Sequence, residues 1–352
     1  MKHAGIKREF IEVNAYPLNH IAMKTLSMIL FSLMLSLHVS YPQGVTTHSG
    51  NRIFFDDAAA RYVLAHPERA LVKEHDSIWN AFEGYRITLL WHKESNFPVT
   101  WEIWERGLNR FLHKDTSLIR KSLELAGSLQ AKAKKEKDRI IAHISSFLGK
   151  KTSFDAYVYF VAFTIPYAFC VDTNKIGIDL TADEWGFDTD CILNMLIHEI
   201  YHVGFKLNSP DYKYTEQNPA DNKTFSRFNY AYLQSEGMAT YVGYKALNLY
   251  PSDYRHEDYQ LLENDDKVQL AIDHMNRLVK MCLTEPVDTL AKASWDIGVE
   301  QRAYYIAGAY MAKIIEEKYG TERLAELVGK GSLEFVREYN GLVPDNRKIE
   351  IE

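Results

Sequence analysis

The sequence predicts an α+β fold, predominantly α-helical, with a small sheet placed directly before a buried helix. Three observations predict it. Between Asn51 and about Lys150, apolar residues recur three and four positions apart, which is the helical period. At Phe154 the pattern changes to β-branched and aromatic runs with the alternation of strands. From Cys191 to Phe205 the chain is apolar with helical spacing, as expected of a helix at the floor of a cleft, yet it carries two histidines and a glutamate.

The chain has 352 residues, 46% hydrophobic and 25% charged, an ordinary globular composition with material for a large core in one domain or two packed subdomains. Residues 1–22 are polar and mixed in charge. Met23-Lys24 is then followed by an apolar run of about 15 residues to Val39, too short for a comfortable membrane span and right for a signal-peptide core. Met23 is therefore read as the start, residues 1–22 as an upstream extension, and 23–40 as a signal peptide, which implies a secreted or periplasmic protein without a stable membrane span after cleavage. Removing residues 1–40 takes away Lys2, Lys7, Arg8 and Lys24 with Glu9 and Glu12, so the net charge of −6 becomes −8. Such a balance disfavours nucleic acid as a partner. The one basic stretch, Lys132 to Arg139, is interrupted by Glu136 and Asp138 and reads as a solvated helix face. Cys170, Cys191 and Cys282 form no C-x-x-C pair, and no disulfide framework is expected.

Within residues 41–150, read as a helical subdomain, four helices are expected over Phe54 to Ala65, Ala70 to Trp91, Val99 to His113 and Ser117 to Leu148. This half carries no visible chemistry, and Trp79, Trp91, Trp101 and Trp104 read as core. Asp155 to Phe163 and Lys175 to Leu180 read as strands. Asp188 or Thr189 is a plausible cap for the helix that follows.

That helix carries His198-Glu199-Ile200-Tyr201-His202. Residues four apart share a helix face, so His198 and His202 can offer two imidazole nitrogens to one ion, the geometry a catalytic zinc needs. Glu199 stands beside the first histidine, placed to act as a base on a water rather than as a ligand. A catalytic zinc takes a third protein ligand, and Glu236, 34 positions after His202, is the best candidate. It lies on an expected helix from Phe225 to Ala246, near apolar residues, and the small Gly237 and Ala239 would let this helix approach the first one. Glu216, Asp221 and His256 are weaker competitors in polar, turn-rich segments.

A last helix is expected over Gln301 to Gly320, whose Ala307, Gly308, Ala309 and Ala312 suggest close packing against another helix. Arg302, Tyr304 and Tyr305 at its start could reach the cleft. Tyr305 is a candidate donor to an oxyanion, against the alternative that these tyrosines are core. A short helix over Thr321 to Val328 follows, and the tail from Asn340, residues 341–352, reads as peripheral.

His198-Glu199-x-x-His202 followed by Glu236-Gly-x-Ala resembles the gluzincin zinc metallopeptidases, and more closely the secreted bacterial zinc-dependent peptidases of unknown substrate, over about Phe154 to Gly320. The resemblance implies a zincin-like catalytic core over 151–340, a Zn2+ cofactor, and a peptide or protein substrate. It also implies a small sheet before the zinc helix whose edge strand binds substrate backbone; Ile176 to Leu180 would be that edge, or simply part of a structural sheet. In the best-known gluzincins an aspartate follows the third ligand by four positions and orients a histidine; this chain has Thr240 there. Two other readings compete: a metal-binding or peptide-binding module without catalysis, and a helical interaction protein with no metal whose histidines are core. Within the enzyme class, a hydrolase of non-peptide amides shares the same motif.

Overall fold

The computed structural model describes residues 50–351 except 69–74, 95–100, 115, 150–152, 165, 183–184 and 216–218. The stretches 1–22 and 23–40, and with them the expected signal peptide, lie outside the described residues. Apolar spacing in the first half does produce helices: α1 (Ala58–Ala65), α2 (His75–Ala81), α3 (Glu83–Glu94), α4 (Trp101–Lys114) and the long α5 (Thr116–Ser146). The first of them starts later than expected. Residues Arg52–Asp56 form a strand, β1, whose residues alternate between exposed and covered, and Asp56 ends it by accepting a hydrogen bond from the Ala58 backbone N–H at 2.9 Å. Phe54 and Phe55 fit a helical period as well as a strand one. Pairing with a strand a hundred residues away decides between them, because it satisfies the backbone along the whole segment.

That partner is β2 (Asp155–Val161), which runs parallel to β1 and to β4 (Lys175–Asp179), while β3 (Ala168–Val171) pairs antiparallel with β4. The order β1-β2-β4-β3 makes a four-stranded mixed sheet. The expectation that Ile176 to Leu180 forms an edge is corrected: β4 is interior, and β3 is the edge strand on that side. The signal for β3 was present in Ala168-Phe-Cys-Val followed by the turn Asp172-Thr-Asn174, a hairpin pattern. Its register sets Phe169 opposite Gly177, and the ring lies over the glycine where any larger side chain would collide.

The second half is helical: α6 (Thr189–Asn208), α7 (Asn222–Ala246), α8 (Glu257–Leu262), α9 (Asp265–Thr284), α10 (Val287–Ala293), a π-helical turn at Ser294–Glu300, α11 (Ala303–Tyr319), α12 (Thr321–Lys330) and α13 (Ser332–Asn340). The last was not read from the sequence. It is started by the Asp211 carboxylate, which accepts from the Ser332 N–H at 2.8 Å and hydroxyl at 2.7 Å. The tail is not peripheral. Ile349 is 1% exposed, its N–H and C=O both bond the Asn340 amide, and Asn276 holds the backbone of Lys348 and Glu350.

The described residues fall in one compact unit, and one continuous apolar core runs through it from Ile53 to Ile349. Trp79 and Trp104 belong to that core, Trp79 stacked on Tyr85 and Trp104 edge-on to both. Lys132, on the basic face of α5, reaches Asp190 at 2.7 Å and so ties α5 to the first turn of α6. The three cysteines are free thiols. Among the described residues no helix is long and apolar enough to cross a membrane.

Candidate metal centre

Helix α6 begins where expected, with Asp188 as N-cap accepting from the Asp190 N–H, and every residue from Cys191 to Phe205 is buried. The chain can bury this whole turn sequence because its apolar residues cover all faces, against the sheet on one side and α5 and α7 on the others. His198, Glu199 and His202 are accordingly only 6%, 7% and 9% exposed. Helix α7 is started by a reciprocal capping box between Asp221 and Thr224 and carries Glu236 to the same place.

Three ligand atoms converge there. His198 Nε2 and His202 Nε2 are 3.2 Å apart, and Glu236 Oε2 lies 3.6 Å from the first and 3.4 Å from the second. Donors held tetrahedrally at roughly 2.0–2.1 Å from an ion stand about 3.3–3.4 Å from one another, so the triangle has the size that a zinc ion requires. Its chemistry fits too. Ser235 Oγ sits 3.2 Å from His202 Nδ1, and a proton held on Nδ1 leaves the Nε2 lone pair pointing into the triangle. Two imidazole nitrogens facing each other at 3.2 Å either share a proton or take a cation between them. Among the described residues, no other group of three His, Cys, Asp or Glu side chains comes together in this way.

The electrostatics follow from burial. It pulls the His198 pKa down to about 4, with His202 and His256 acting in the same direction and Glu236 opposing, so His198 is neutral at pH 7, whereas His202 is shifted upward because the Glu236 carboxylate outweighs burial there. It pushes the Glu199 carboxyl up to about 7, with Glu236 adding to the rise and His202 opposing it. Burial alone would also raise Glu236, but the two histidines hold it well below the usual carboxylate range. The two carboxylates thus differ sharply, one poised to exchange a proton near neutrality and one fixed as an anion.

A family model covers residues 108–347, more than half of the chain, and its description reads "putative zinc dependent peptidase" (DUF5700). The chain belongs to this family. The span of the match runs from α4 to the turn after α13 and takes in all the residues of the triangle. No curated protein and no solved structure matches the chain.

The remaining candidates sort themselves by position. Tyr305 stands beside the triangle, its ring nearly parallel to that of His198 at 6.5 Å, and burial keeps its hydroxyl protonated. Tyr304 turns away: it is fully buried, and its hydroxyl donates to Asn229 Oδ1 at 2.6 Å. Arg302 does not reach for the cleft directly; it pairs with Asp258 and lies over the Tyr305 ring. Among the competing ligands, Asp221 is used as the cap of α7 and His256 as the cap of α8, while Glu216 lies outside the described residues. Thr240, where the best-known gluzincins have aspartate, is buried with its hydroxyl unpartnered. The residue beside His202 is Ser235, one position before Glu236 instead of four after it, and sequence reasoning missed it because a lone serine carries no signal. Gly237 also plays a different part from the one expected, packing on Gly308 of α11 rather than on α6.

Proposed function

We propose that this chain is a secreted zinc metallopeptidase with a gluzincin-like site on a zincin-like core, hydrolysing peptide bonds with Glu199 as general base. The observation that carries the reading is the convergence of His198, His202 and Glu236 at the spacing of a tetrahedral zinc site, with a carboxylate of near-neutral pKa next to it on the same helix. Family membership supports it, and secretion rests on the apolar run before Ser40.

A bound zinc ion supplies Lewis-acid polarisation of the scissile carbonyl and of the attacking water. His198, His202 and Glu236 would hold it, with the Ser235 hydroxyl orienting His202 from behind. Glu199, beside the triangle on the same helix, takes the proton of the water and hands it to the leaving amine. The Tyr305 hydroxyl, kept protonated by burial, donates to the oxyanion. The β3 edge, which among the described residues has a strand partner on one side only and packs on α6, offers backbone groups for a substrate to add as a further strand.

The test is elemental analysis of the chain from about Tyr41 onward, beside Glu236→Ala and Glu199→Gln, with a peptide-library cleavage assay. One zinc per chain in the parent, its loss in Glu236→Ala, and full zinc with no cleavage in Glu199→Gln are the expected results. A parent without zinc after supplementation overturns the metal site. A Glu199→Gln variant as active as the parent overturns the base.

A further inference from the structure

The start of α11 is built in a way that helix formation does not require. Arg302, its N-cap, has φ 60°, a left-handed backbone that costs any residue with a side chain and is usually left to glycine or asparagine. It stands one residue, Gln301, beyond the π-helical turn Ser294–Glu300, a second departure from regular helix geometry within nine residues. What this backbone achieves is the placement of one guanidinium. Arg302 makes a forked pair with Asp258, Nε to Oδ1 at 2.8 Å and Nη2 to Oδ2, and Asp258 is itself buried on α8. The fork fixes the plane of the guanidinium, and its other role is visible in the same plane: Cζ lies 3.3 Å from the centroid of the Tyr305 ring. Asp258 in turn is anchored at its own backbone, whose N–H donates to His256 Nδ1 at 3.3 Å.

We propose that Arg302 is a positioning residue that, locked by Asp258, holds the Tyr305 ring against the metal site in the orientation from which its hydroxyl can serve the reaction. The inference rests on the reading of Tyr305 as oxyanion donor and adds how that donor is held. A tyrosine at the first turn of a helix has rotamers that point away from the centre. A flat cation fixed over the ring removes them, leaving the near-parallel placement beside His198. Asp258 is needed because an arginine held only by the ring would be free to slide over it. Lysine cannot replace Arg302, since an ammonium has neither the fork for Asp258 nor a plane to stack.

The experiment uses the full chain loaded with zinc. Arg302→Asn is the first variant, because asparagine accepts a left-handed backbone and keeps α11 started while removing the guanidinium. Its crystal structure, beside that of the parent, is expected to show the Tyr305 ring displaced from its near-parallel placement on His198 with zinc still at one per chain. A ring that stays in place overturns the proposal, whether or not the protein proves to be a peptidase. The second measurement is steady-state kinetics on a peptide that the parent cleaves, for Arg302→Asn, Arg302→Lys, Tyr305→Phe and the double variant Arg302→Asn/Tyr305→Phe. Arg302→Asn and Arg302→Lys are expected to lower kcat about 10-fold or more with KM changed less than about 3-fold, and the double variant to be no slower than Tyr305→Phe alone. Losses that multiply in the double variant, or a rise in KM at constant kcat, overturn it. A parent that cleaves no peptide counts against the peptidase reading, and the crystal comparison then decides the positioning role by itself.

Discussion

Gly237 of α7 and Gly308 of α11 lie in backbone contact: a Cβ added to Gly308 would stand 2.7 Å from the Gly237 Cα, closer than real carbon atoms approach. The two helices therefore cross at the residue after Glu236 and one turn after Tyr305. Close approach of two backbones is how a ligand on one helix and a donor on another come to share a site, and only glycine permits it at this point.

Gly308→Ala should therefore destabilise the protein by more than a surface change would. Overpacking costs about 1–3 kcal/mol, and here the obstacle is backbone, which yields less readily than a side chain. The melting temperature should fall by a few degrees at this chain length, at about 1–2 °C per kcal/mol. Zinc affinity should fall with it, because separating α7 from α11 moves Glu236. An unchanged melting temperature would mean that the helices part freely at this crossing.

Ser235→Ala should leave the fold intact and weaken zinc binding. Its hydroxyl is the partner of His202 Nδ1, and loss of such a partner costs about 10- to 100-fold in metal affinity. Competition with a chromophoric chelator reads this directly. Equal affinity in parent and variant would show that His202 is oriented by packing alone.

Asp179 gives a pH dependence separate from the metal centre. Its carboxylate accepts from the Thr181 N–H at 2.7 Å and hydroxyl at 2.6 Å, and from the Thr164 N–H and hydroxyl, closing the turns at the end of β4. Burial pushes its pKa up to about 6, with those bonds from Thr181 and Thr164 opposing. Between roughly pH 4 and 6 the folded chain thus holds a proton that the unfolded chain has released, so the Asp179 contribution to stability falls as pH rises through that window and is constant above it. The change is on the order of 1–3 kcal/mol. Urea unfolding at intervals from pH 4 to 7 should show a steeper fall between about pH 4 and 6 in the parent than in Asp179→Asn, which keeps the contribution of Glu199, whatever the absolute stability of the variant. Parallel curves for the two would sink the assignment.

Much of the fold was legible locally. The spacing of apolar residues gave α5, α6 and α7 within a few residues of their ends, and Asp188 was one of the two candidates for the cap of α6. The misreadings share a cause. Phe54 and Phe55 obey two periods at once, and β3 is four residues long, so each becomes a strand only through a partner: β1 through Asp155–Val161, β3 through Lys175–Asp179. Once β3 is added, β4 ceases to be an edge. The tail differs for a similar reason: Ile349 and Ile351 alternate with charged residues, and the burial of Ile349 depends on Asn340, Asn276 and Tyr230.

The sequence by itself determined the chemistry of the centre. Two histidines four apart must share a helix face, with Glu199 beside them, whatever the rest of the chain does, because the backbone geometry of one helix fixes that relation. It also supplied Glu236 as the third ligand of choice, from its small and apolar neighbours. Tertiary structure alone decided what completes the site: Ser235 behind His202, Gly237 against Gly308, and Arg302 held by Asp258 over Tyr305. These partners stand on different helices, and no local propensity connects them. They meet because the one arrangement that buries the core also brings them together, and a contact chosen by packing is not written in the spacing of the residues that make it.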